Sequence, residues 1–143
     1  MSLIGTNLKP VDLDSKIKKL ESVAENCHRE SILVYPSPAY QDLNTQSIKI
    51  QNAVLELRNI YDHWVFNSGY SNLRYEVDYY AFRIRQLQDF YLIVSDSDKQ
   101  DILSVMPSLQ ETYLEKTRQV RMLENTEFQV ELSEELVLLI NKI

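Results

Sequence analysis

The sequence predicts an all-α protein: an elongated bundle of four to five helices, mostly antiparallel, with at most a vestigial extended segment near the C-terminus. Three observations predict it. Leu73, Val77, Tyr80, Ile84, Leu87, Tyr91 and Val94 recur at alternating steps of four and three, a stripe that a helix can use and a strand cannot. Similar spacing returns in three other stretches. Only two glycines occur in 143 residues, so glycine-dependent hairpins and phosphate loops have little to build on.

In chain order, residues 1–10 show no periodicity and read as an N-terminal arm. From Val11 the residues Leu13, Ile17, Leu20 and Ala24 share one helical face, with Asp12 or Asp14 as the N-cap and an end near Arg29. The run SILVYPSPAY follows. Pro36 and Pro38 make it an extended linker, and its apolar Ile32, Leu33, Val34 and Tyr35 imply that it is pinned against the bundle. A second helix spans about Gln41 to Asn67 on Leu43, Ile50, Val54, Leu57, Tyr61 and Trp64. Gly69 then supplies the left-handed residue at its end, and the short turn implies an antiparallel third helix.

That third helix, Leu73 to Val94, carries a second apolar set beside its stripe: Tyr75, Tyr79, Phe82 and Phe90, with Arg74, Arg83 and Arg85 between. A helix apolar over so much of its circumference is expected in the middle of a bundle, covered from more than one side. Ser95 or Ser97 caps a fourth helix, whose inward residues are Ile102, Val105, Leu109, Tyr113, Val120 and Leu123; Pro107 is expected to kink or split it. Beyond Asn125, FQVEL suits a short extended piece and SEELVLLINKI a last helix capped by Ser133. The division is thus an arm (1–10), a helical bundle domain (11–125) and a C-terminal appendage (126–143).

Composition narrows function. A formal charge of −6 opposes indiscriminate binding to nucleic acid, which needs surplus cations. The single cysteine, Cys27, cannot form an internal disulfide and suits a reducing compartment. The longest apolar runs are five residues, far below the ~20 that cross a bilayer, and no basic, apolar leader opens the chain. Glu25 and His28 have the i, i+3 spacing of carboxylate-bridged metal sites, but His63 has Ile60 where a second such motif needs a glutamate. Asp96, Asp98 and Asp101 lack the glycine and the last carboxylate of a calcium loop and read as helix-capping acids. Cys27 and His28 point about 100° apart on a helix and form no nucleophile–base pair. The Tyr and Arg residues of the third helix read as interior rings and acid-paired cations rather than a base-stacking platform. No enzyme, cofactor or metal is expected, and an interaction protein is the default.

Three local patterns, in order, resemble a subunit of the GINS complex, closest to the Sld-five subunit (GINS subunit four), over its helical domain. The first is ENCHRESILVYP, with Cys27, Glu30, Ile32, Leu33, Tyr35 and Pro36, one residue longer before the Tyr-Pro than in the family. The second is the spacing of Tyr79, Arg83, Ile84, Leu87 and Phe90. The third is a Ser-led helix reaching the pair Tyr113 and Leu114. The resemblance covers roughly residues 11–123 and departs from the family at Pro107 and in the small β-domain, reduced here to at most a remnant in the last eighteen residues. It implies a nuclear, non-catalytic scaffold in a heterotetramer of paralogous subunits that braces the MCM helicase and meets associated replisome proteins in DNA replication initiation and fork progression, with DNA contact at most indirect and no membrane. The residues expected in the core or at partner interfaces are Tyr35, Trp64, Tyr79, Arg83, Ile84, Leu87, Phe90, Tyr91 and Tyr113. The other reading of the same residues is a helical adaptor of another assembly, in kinetochore, trafficking or transcription machinery.

Overall fold

Pro10 starts the first helix, where its fixed φ is already helical and its missing N–H costs nothing. The computed structural model describes residues 3–143, with β1 (Leu3–Leu8), α1 (Pro10–Leu33), α2 (Pro38–Ser68), α3 (Tyr70–Tyr91), α4 (Asp96–Asn125), β2 (Phe128–Ser133) and α5 (Glu134–Lys142). Five helices and one two-stranded sheet make it the all-α bundle that the apolar spacing predicts. Lys9 is the N-cap of α1, not Asp12 or Asp14, and no side chain closes it; Asp12 lies in the first turn, where the helix dipole favours acid. A second proline, Pro38, starts α2 in the same way, three residues earlier than the spacing suggested.

The chain divides into two compact units, residues 1–64 with 125–143, and residues 65–124. In the first unit α1 lies antiparallel to the start of α2. Ser47 Oγ donates to the Ala24 carbonyl at 3.0 Å, and farther along α2 Arg58 pairs with Glu21. Leu13, Ile17, Leu20 and Ala24 are all buried, as their spacing requires, and the first three share a cluster with Val54 and Leu57 of α2. Leu8, Leu132, Leu136 and Ile140 complete this core, so residues 126–143 contribute three of its side chains. Within the arm expected at residues 1–10, Leu3–Leu8 form strand β1, antiparallel to β2 with Leu3 opposite Ser133 and Leu8 opposite Phe128. Along β2, Phe128, Val130 and Leu132 turn toward the core while Gln129 and Glu131 face solvent, the period-2 pattern of a half-covered sheet. Two strands alone are marginal; here the core beneath them supplies the missing support.

The α1–α2 linker departs from expectation. Helix α1 continues past Arg29 to Leu33, and Ile32, Leu33 and Tyr35 are exposed rather than pinned; Tyr35 only sets its ring edge-on to Tyr40, 5.0 Å between centroids. At the other end of α2, Gly69 separates α2 from α3 with φ +77°, the left-handed geometry expected of it. Ser133 caps α5, accepting the Leu136 N–H at 3.3 Å. Replacing Ser133 by alanine is therefore expected to lower stability by about 1 kcal/mol, read as a shifted urea midpoint; an unchanged midpoint would show that Ser133 does not anchor α5.

The second unit is a helical hairpin. Tyr70 Oη donates to Glu124 Oε1 at 2.6 Å, and Lys116 Nζ lies 2.8 Å from Glu76 Oε2, which fixes α3 and α4 as antiparallel neighbours. Ser95 caps α4 through the Asp98 N–H, and α4 runs through Pro107 without being split. Its inward residues include Ile102, Leu109, Tyr113, Val120 and Leu123, but Val105 is exposed and Met106 is the partly covered residue. Steps of four, three and four from Ile102 lead to Met106, Leu109 and Tyr113, so the seam follows the seven-residue repeat of paired helices. α3 does not occupy the middle of the main core, which is built from α1, α2, α5 and the two strands.

Candidate functional site

Helix α3 has two apolar faces and covers one. Its predicted stripe points at α4: Val77 is buried, and Leu73, Tyr80, Ile84, Leu87 and Tyr91 are half-buried. Ile84 and Tyr113 meet along a shallow groove also lined by Ala81, Gln88 and Leu114. Lys99 Nζ sits 5.3 Å from the centre of the Tyr91 ring, a cation over an aromatic face. Roughly 150° around the helix, at ~100° per residue, come Tyr75, Tyr79, Phe82 and Gln86. The three rings are 73%, 49% and 61% exposed. Among the described residues Tyr79 has only the edge of the neighbouring Tyr80 ring, 5.4 Å between centroids, against it.

The borders of this ridge are charged. Arg74, Asp78, Arg85 and Asp89 run along one side, with Arg74 3.8 Å from Asp78; Glu76 and Arg83 lie on the other. Glu76 is already held by Lys116, and that carboxylate, as hydrogen-bond partner first and as a neighbouring charge second, raises the lysine's affinity for its proton. Arg83 donates to Gln86 at 2.9 Å. A chemically reactive centre would bring acid, base or nucleophile together in a recess. Here rings and alternating charges share an open helix face, which is how helices recognise other helices.

Of the residues singled out from sequence, Tyr79, Arg83, Phe90 and Tyr35 are exposed, while Ile84, Leu87, Tyr91 and Tyr113 line the α3–α4 seam. Trp64 lies in the first unit, its ring 6.2 Å from Phe128 and 5.7 Å from Tyr61, and so belongs to interior packing. Tyr75 and Phe82 belong beside Tyr79. Their four- and three-residue steps were visible in the sequence, but which of the two stripes on α3 would be covered was not. Exposed Leu92 and Ile93 in the turn after α3, and Leu114 on α4, extend the apolar surface of this unit.

Elsewhere chemistry is sparse. Glu25 accepts from Arg29 at 2.6 Å, next to an exposed His28. Among the described residues no three His, Cys, Asp or Glu side chains are gathered as a metal would require, and no helix is long and apolar enough to cross a membrane. No protein-family model, curated protein or solved structure matches the chain.

Proposed function

We propose that this protein is a non-catalytic scaffold subunit of a multiprotein assembly, and specifically a GINS subunit of the Sld-five type that supports the MCM-based helicase in the nucleus. One observation carries the scaffold reading: among the described residues of 65–124, only Val77, Ile102 and Val120 are buried apolar side chains, while Tyr75, Tyr79, Phe82, Leu92, Ile93 and Leu114 stay in water. A helical hairpin so thinly covered reaches ordinary burial when other helices pack on it. The GINS assignment adds the three motif resemblances, which fall at the end of α1, along α3 and on α4. The other candidate, an adaptor in kinetochore, trafficking or transcription machinery, shares the hairpin and lacks the motifs.

Native purification of the tagged chain from its own cells, with identification of what accompanies it, separates the two. Stoichiometric recovery of three paralogous GINS subunits is expected. Recovery of a different fixed set of partners would replace the GINS assignment, and recovery of none would remove the scaffold reading. Leu87→Asp places a carboxylate in the α3–α4 seam at a cost of several kcal/mol if it stays charged and unpaired, so it is expected to abolish co-purification. Normal assembly by that variant would show that the seam is not needed to present the surface.

A further inference from the structure

The exposed ridge on α3 carries more information than its apolarity, because its borders specify a partner. Tyr75, Tyr79, Phe82 and Gln86 follow steps of four, three and four, the spacing of the seam positions in paired helices. The residues flanking such a seam choose the partner and its direction by charge. In an antiparallel pair each flank faces the same flank of the other helix; in a parallel pair it faces the opposite one.

We infer that this ridge is a self-association surface on which two copies of the chain pair their α3 helices antiparallel, Tyr79 of each against Phe82 of the other. In that register Tyr75 meets Gln86 of the second copy, and the two-fold axis repeats both contacts. On one flank Asp78 falls beside Arg85 of the second copy, and Arg85 beside its Asp78. On the other flank Glu76 falls beside Arg83, again twice. No like charges oppose each other in these pairs. Asp78, Arg83 and Arg85 are all exposed; the contacts Asp78 and Arg83 make now, with Arg74 at 3.8 Å and with Gln86 at 2.9 Å, lie on the open surface and can be exchanged for those across the pair, whereas Glu76 already has Lys116 and adds less.

A parallel in-register pair fits worse. It also opposes Asp78 to an arginine, Arg83, but leaves the Arg85 guanidinium against Phe90. Interchangeable ends and self-matching charges are properties of a two-fold interface, in which one patch must complement itself. Six partly exposed rings and their flanks make a small interface, near or below the ~1,200 Å² at the lower end for stable specific pairs. The dimer is therefore expected to dissociate on dilution. The pairing rests on α3 alone and not on the GINS assignment, so either stands if the other fails.

The test is the mass of the purified full-length chain by sedimentation equilibrium over a wide dilution series, with charge exchange at two exposed positions. The wild-type chain should move between 16.8 kDa and twice that mass. Asp78→Arg alone and Arg85→Asp alone should each weaken the dimer by about tenfold or more, since each sets like charges together. The double variant should restore it. A mixture of the two single variants should dimerise better than either one, because across that mixed pair both contacts become attractive. Unchanged circular dichroism would confirm that these surface changes leave the fold intact. A chain monomeric at every concentration overturns the inference and leaves the ridge to a different partner. A dimer that Asp78→Arg breaks but Arg85→Asp does not shows the parallel pairing instead, and a dimer indifferent to both charges lies on another surface.

Discussion

Leu57→Ala is expected to remove about 2–5 kcal/mol of folding free energy, the range for deleting a fully buried leucine from a core that cannot collapse around the gap. Leu57 is 0% exposed and belongs to a cluster with Leu13, Ile17 and Leu20 of α1 and Leu132, Leu136 and Ile140 beyond α4. Side chains of α1, β2 and α5 thus share one buried cluster with Leu57. A domain of ordinary size has about 5–15 kcal/mol in total, so this single change removes a large share of the margin. Trp64 is the only tryptophan and stacks near Phe128 within the same unit, so its fluorescence during urea unfolding reads this loss directly. A midpoint within error of the wild type would mean that the Leu57 site is not the packed centre it looks to be.

Val77→Asp is expected to have a comparable effect in the other unit, by a different route. Val77 is the most covered residue of α3 and faces α4. A carboxylate there either keeps its charge without water or takes up a proton, and both cost several kcal/mol at neutral pH. Far-UV circular dichroism should fall as α3 and α4 unravel, while Trp64 fluorescence, which belongs to the first unit, changes less. The pH dependence has a definite sign. Burial raises the new carboxyl's folded-state pKa above its unfolded value, so the destabilisation is full above the raised pKa and shrinks as pH falls toward the unfolded one. Val77→Asn, similar in size and uncharged, should be milder at pH 7 and show none of this relief. Equal damage from Asp and Asn would assign the effect to polarity or shape rather than charge.

Much of the fold was legible because helices announce themselves locally. Leu13, Ile17, Leu20 and Ala24 predict their own burial by spacing, Gly69 its left-handed turn, and Ser133 its cap. Strand β1 was not legible, because six residues of mixed character carry too little alternation and their partner lies more than a hundred residues away. The exchange of Val105 for Met106 has a similar origin. A seven-residue seam and a 3.6-residue helix drift apart by about 20° per heptad, so deciding which of two adjacent apolar residues turns inward requires knowing that α4 packs along a single neighbour. The apolar linker stays open because the residue type of Ile32 and Leu33 does not by itself place a surface opposite them. The site was half visible: both stripes on α3 could be drawn from sequence, but which would meet α4 depended on how the hairpin closes.

The core of the first unit is discontinuous in sequence, and that orders events during synthesis. Residues 65–124 leave the ribosome as one contiguous piece and can form their hairpin at once. The apolar face of α1, made earlier, lacks Leu132, Leu136 and Ile140 until the segment after α4 is translated. The nascent chain therefore holds α1 incompletely sheltered while α2, α3 and α4 are made, and a stall just after Asn125 would leave that sticky surface within reach of chaperones.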